Sequence, residues 1–124
     1  MTFTFDTGML IALERRKPRA TEILRAIIRR GLLAVVPAVV YAEWWRGRTD
    51  VRDEILAMVI VEDMPHALCR AAGEALAAIR GATLADAIVM ASASLRGGGV
   101  VYTSDVDDLR LLQRHFPSVL VVGV

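Results

Sequence analysis

The chain has 124 residues, 55% hydrophobic and 23% charged, which is globular composition with length enough for one core and argues against disorder. A net charge of +1 makes it no basic magnet for nucleic acid as a whole, and the single cysteine, Cys69, excludes both an intramolecular disulfide framework and a cysteine-built zinc site. The longest apolar stretch, "LLAVVPAVVYA" at 32–42, is broken by Pro37 and is too short to cross a bilayer.

"TFTF" at 2–5 reads as a strand, and it arrives at Asp6 before the chain turns apolar again in a helix at 8–16. Burying a carboxylate without a partner is costly. Asp6 therefore either caps that helix or belongs to a cluster of acids. The start "MTFTFD" has no basic segment ahead of an apolar core, so it does not read as a secretory signal, and the expected compartment is the cytoplasm. A second helix fills 18–30, led in by "RRKPR" at 15–19, which suits a solvated helix end or contacts to phosphates. The strand "LAVVP" at 33–37 feeds a helix at 38–48 that carries Glu43 in its second turn. There Glu43 either pairs with Arg46 three positions on or faces the end of the strand before it. Trp44 and Trp45, being adjacent on a helix, point in different directions, so one belongs to the core and the other to a surface.

The strand "MVIVE" at 58–62 follows, then helices at 65–80 and 83–96. The second of these, "TLADAIVMASASLR", is apolar or small almost all the way round and is expected to be buried. Asp86 is its one charge before Arg96, and Thr83-x-x-Asp86 has the form of a capping box. Glycines 97–99 end it. "GVVYT" at 99–103 is the next strand, with Asp105 two residues beyond it and a second capping-box pattern at Ser104-x-x-Asp107. A helix at 106–115 and the strand "SVLVVG" at 118–123 complete the chain. Val/Ile-rich strands separated by helices predict an α/β fold, a parallel sheet covered on both faces. No repeat, linker or break divides the chain, so residues 1–124 read as one domain.

In such a sheet ligands collect beyond the carboxyl ends of the strands. Asp6 and Asp105 follow two of those strands directly, and Glu43 leaves a third on its helix. The helix carrying Asp86 runs back against the strand that leads to Asp105, which places its beginning at the same sheet edge. All four acids can meet there. Oxygen-only clusters suit Mg²⁺ or Mn²⁺, and without a cation the four charges would raise one another's pKa. A pair of such ions activates water and steadies both oxygens of an in-line phosphoryl displacement, so phosphodiester hydrolysis is the reaction class that follows.

The series "FDTGMLIAL", "VVYAEWWRG", "ATLADAIVMASA" and "VYTSDVDDL" resembles the PIN-domain nucleases, in particular the VapC-type toxins of bacterial toxin–antitoxin modules, over essentially the whole chain. The resemblance implies a three-layer α/β/α sandwich around a parallel sheet of about five strands. It implies that Asp6, Glu43, Asp86 and Asp105 form a catalytic quartet holding Mg²⁺ or Mn²⁺, that Asp108 adds a further acid, and that Thr103 steadies the site. It implies metal-dependent cutting of structured RNA, tRNA or rRNA, with arrest of translation, a homodimer, and a small antitoxin that occludes the acidic pocket. Leu109 stands where the family commonly has Phe. Arg46 and Arg48, close behind Glu43, are the candidate contacts to substrate.

Other chemistries fare worse on residues. Aspartate-based phosphohydrolysis wants a second Asp two residues after the first and a positioned Lys, but position 8 is Gly and Lys17 is the only lysine. The serines lie in no G-x-S-x-G context, and "GGG" at 97–99 lacks the dinucleotide-binding order. His66 and His115 have no partner at ligand spacing. The alternatives left open are a non-catalytic PIN-like module that binds RNA or protein, and a nuclease directed at DNA.

Overall fold

The fold comes from a computed structural model that describes residues 2–47 and 49–124. Chain order is β1 (Phe3–Phe5), α1 (Thr7–Glu14), α2 (Pro18–Arg29), β2 (Ala34–Pro37), α3 (Ala38–Trp44), α4 (Asp50–Met58), β3 (Ile60–Glu62), α5 (His66–Ala78), α6 (Leu84–Leu95), β4 (Gly99–Thr103), α7 (Val106–Gln113) and β5 (Val119–Gly123). The five strands form one parallel sheet in the order β3-β2-β1-β4-β5. Its register pairs Phe3 with Ala34 and Val100, and Thr103 with Gly123. Crossovers between parallel strands are right-handed, so those running leftward from β1 and those running rightward into β4 and β5 lie on opposite faces. Accordingly α1 packs with α2, α3 and α4, while α6 packs with α5 and α7. The α/β/α sandwich with a five-stranded parallel sheet is the observed architecture.

β1 is the central strand and all three of its residues are buried, which its aromatic and β-branched residues favour. Phe5, Met9 and Leu10 on one side of the chain and Ile88, Met90 and Val101 on the other are among the largest fully buried side chains. Burying each contributes roughly 1.5–3 kcal/mol. α6 is buried without interruption from Ala87 to Ala93, as its composition requires. It ends in glycines at positive φ, and the amide of Gly98 donates to Ala93 O at 3.0 Å. A Cβ on Gly98 would stand 2.5 Å from Ser118 O, and one on Gly99 2.5 Å from Thr2 O, so this glycine run closes packing around β4.

Three local expectations are corrected. The helix expected over 38–48 stops at Trp44, where Trp45 turns extended and Gly47 takes φ +107°. An additional helix, α4, begins after Thr49, whose Oγ1 accepts from Arg52 N at 3.1 Å, with Asp50 and Asp53 in its first turn. This leaves the third strand only Ile60–Glu62. Ser104 does not cap α7: Asp105 occupies the N-cap position, without a side-chain capping bond.

Candidate functional site

The connections from β1 and from β4 depart toward opposite edges of the sheet, so a crevice opens beyond their carboxyl ends. Asp6 follows β1 directly. Its backbone is extended (φ −91°, ψ −179°), as an N-cap demands, and its Oδ1 accepts from Met9 N at 2.8 Å. Its other oxygen, Oδ2, accepts from Thr103 Oγ1 at 2.5 Å. That hydroxyl in turn accepts from Asp105 N at 2.8 Å, so Thr103 links the ends of β1 and β4. Asp6 thus serves both as a helix cap and as a member of the acidic group.

Glu43 reaches the same crevice from α3, where Oε1 accepts from Thr7 Oγ1 at 2.8 Å. Asp86 arrives from the first turn of α6. Thr83 Oγ1 accepts from Asp86 N at 3.2 Å, which holds one half of the capping box. The four carboxylates of Asp6, Glu43, Asp86 and Asp105, supplied by four separate segments, line one cleft of about 250 Å³, with Thr7, Gly8 and Ser104 between them.

The electrostatics follow from this crowding. Asp6 is only 7% exposed. Burial raises its carboxyl to about 6, against the lowering effect of its bonds to Thr103 and Met9, with the charges of Asp86 and Asp105 adding to the rise. Burial likewise raises Asp86, aided by the charges of Asp105 and Glu43. Asp108 is raised by a hydrogen bond to Asp105 and then by that residue's charge.

This repulsion is what a hard cation relieves. Among the described residues, no group of three or more His, Cys, Asp or Glu side chains already stands arranged to hold an ion. Mg²⁺ makes a modest demand in this respect, since it keeps several waters and takes one or two carboxylates plus substrate phosphate. A cleft of four carboxylates and three hydroxyl side chains, Thr7, Thr83 and Ser104, fits that donor set in kind.

A profile of the PIN domain matches residues 3–114, a span that holds all four acids. The chain belongs to the PIN domain family. Solved structures agree on the fold. A Rickettsia felis VapBC2 complex bound to a DNA fragment from its promoter superposes with TM-score 0.78 at 12% identity, covering 100% of this chain and 99% of that one. A DNA-bound VapBC from Salmonella typhimurium gives 0.75 at 16% identity, over 99% and 98%. VapBC-1 from nontypeable Haemophilus influenzae gives 0.72 at 17% identity, over 99% and 98%. No curated protein matches the sequence significantly.

The remaining expected residues of this PIN domain fall outside the cleft or beyond description. Asp108 is exposed and meets Asp105 without lining the cleft. Arg46 is exposed past the end of α3, and Arg48 lies outside the described residues. Trp44 is the core tryptophan, 3% exposed, with Nε1 donating to Glu14 Oε1 at 3.0 Å. Trp45 packs edge-on against Tyr41 and Trp44, which favours packing over stacking on a base. A larger groove of about 570 Å³ runs between α2 and α4, but its walls are mainly aliphatic, and its two acids, Glu22 and Glu54, are matched in number by two bases, Arg16 and Arg25. Chemistry, rather than size, locates the site. Thr7, Gly8 and Ser104 are among the cleft residues that reading the sequence did not place there; the hydroxyl directly after the first acid was the available signal for Thr7.

Proposed function

We propose that this PIN domain, acting as one unit over residues 1–124, is a Mg²⁺- or Mn²⁺-dependent endoribonuclease of the VapC toxin type. The observation that carries the reading is the gathering of Asp6, Glu43, Asp86 and Asp105 in one cleft at the switch point of a PIN fold. These four are the catalytic carboxylates and, with Asp108 as an outer acid, the metal-holding ones. When bound, the ion supplies Lewis acidity and neutralises charge on the phosphate undergoing in-line displacement. The protein's part is to gather four carboxylates on one cleft. Thr103 holds Asp6 from β4 and Thr7 holds Glu43 from α1, so neither carboxylate swings freely. The attacking water gives up a proton as it adds to phosphorus. Hydrolysis forms one P–O bond to that water and breaks the P–O bond to the leaving oxygen. Arg46 and Arg48 contact the phosphates flanking the cut.

On the resemblance to VapC-type toxins, the substrate is a structured RNA, tRNA or rRNA, cut so that translation stops. The similar VapBC and toxin–antitoxin complexes support a cognate antitoxin as partner, and the resemblance adds that it covers the cleft, that the working form is a homodimer and that the protein acts in the cytoplasm. No described helix is long and apolar enough to cross a membrane. The test is incubation of intact total RNA, and separately of DNA, with the purified chain and Mg²⁺, followed by mapping of new ends. Discrete cuts confined to RNA are expected. Cuts in DNA alone would move the activity to the other sugar, and no cuts in either would make the chain a binding module.

A further inference from the structure

Two helical glycines stand in contrasting surroundings. Around Gly73 in α5 nothing lies within 4 Å of the position a Cβ would take, whereas at Gly8 in α1 that Cβ would lie 2.1 Å from Ser104 Oγ and 3.1 Å from both Ser104 Cβ and Ser104 N. Turning the serine hydroxyl away removes the first contact. The other two involve Cβ and backbone, and yield only if the β4–α7 turn retreats by a few tenths of an ångström. Glycine is a poor helix former, and at Gly8, unlike Gly73, the packing supplies a reason for it.

What that turn carries gives the contact its meaning. Ser104 stands between Thr103, whose hydroxyl bonds both Asp6 Oδ2 and the Asp105 amide, and Asp105 itself. Gly8 stands two residues after Asp6, in the first turn of the helix that Asp6 caps. Both line the cleft. We propose that the Gly8–Ser104 contact is the spacer that sets the gap between the Asp6 and Asp105 carboxylates, making Gly8 a positioning residue for a divalent cation they share. The inference rests on the metal-centre reading above. A side chain at position 8 widens the gap, and a carboxylate displaced by a fraction of an ångström loses grip on an ion that demands short, regular oxygen distances.

The experiment measures Mn²⁺ binding by electron paramagnetic resonance, and melting in chelator, for the wild type, Gly8→Ala, the double variant Gly8→Ala/Ser104→Gly, and Asp6→Asn. Gly8→Ala is expected to melt within a few degrees of wild type, the helix gain of alanine offsetting the cost of the displaced turn, yet to bind Mn²⁺ about tenfold more weakly, the usual scale for a residue that orients a ligand. Ser104→Gly, which deletes two of the three clashing atoms, is expected to recover much of that loss. Binding by Gly8→Ala within about twofold of wild type, a large fall in its melting temperature, or a double variant no better than the single one would each overturn the spacer. Wild type binding no more tightly than Asp6→Asn overturns the metal centre itself, and the spacer with it.

Discussion

Asp6 carries two demands that pull against each other: it caps α1 through Met9 N, and it keeps a carboxylate in a pocket where only 7% of the residue is exposed. With its folded pKa raised from 3.8 to about 6, the native state holds a proton that the unfolded chain has lost between those values. Stability of the metal-free protein therefore falls as pH rises from about 4 to 6, by up to roughly 3 kcal/mol, and stays low above that window. Asp6→Asn keeps an oxygen for Met9 N and removes the charge. In chelator at pH 7–8 it is expected to melt several degrees above wild type and to lose most of the pH dependence, as scanning calorimetry at pH 4.5 and 7.5 would show; equal curves would contradict the assignment. Thr103, fully buried, donates to Asp6 and accepts from Asp105 N. Thr103→Val is expected to cost about 1–3 kcal/mol in urea unfolding and to raise the Asp6 carboxyl further, observable by carboxyl-carbon NMR titration. Asp6 and Thr83 were legible as caps because capping chemistry is local. The Thr7–Glu43 bond and the Gly8–Ser104 approach were not, because each joins residues that only the folded sheet brings together.

At the scale of elements, α6 is the axis of the site, since it delivers Asp86 at one end and is anchored at the other. Arg96 donates from Nη1 to the Glu62 carboxylate and to Ser92 Oγ at 2.7 Å, and from Nη2 to Thr4 Oγ1 at 2.5 Å. Ser92 Oγ donates to Glu62 Oε1 at 2.6 Å. This network ties the end of α6 to β1 and β3, and so sets how far along the sheet Asp86 stands. The Arg96 and Glu62 side chains remain 20% and 28% exposed, so water tempers the cost of breaking the pair. Arg96→Met is expected to destabilise by about 1–3 kcal/mol, measured by denaturant titration, and a loss below about 0.5 kcal/mol would make the network incidental. The burial of α6 was readable from its composition. α4 was not, although Thr49 followed by Asp50 and Asp53 is a helix start: the Trp44–Gly47 segment interrupts a helical pattern without proline, and Ile60–Glu62 is a three-residue strand with little periodicity to separate it from the helix before it.

For the whole molecule, alternating Val/Ile runs and helices sufficed for a parallel sheet with two covered faces, because a strand buried on both sides has few other ways to look. The order β3-β2-β1-β4-β5 is what turns that sheet into a site, by putting the ends of β1 and β4 side by side where the crossovers part. A ligand that binds only the folded state stabilises it by mass action. Saturating Mg²⁺ is therefore expected to raise the melting temperature of the wild type and not that of Asp6→Asn, measured at pH 7.5, above the Asp6 value of about 6; equal shifts would place the ion elsewhere. The central claim is that the four carboxylates act together as a metal-dependent nuclease centre. It is tested most directly by cleavage of a mapped RNA substrate, with Mg²⁺ and with chelator, by the wild type and by Asp6→Asn, Glu43→Gln, Asp86→Asn and Asp105→Asn. The account predicts cutting that needs the metal and falls at least about 100-fold in every one of the folded variants. Cutting that persists in chelator, or survives loss of any two of the four acids, would contradict it.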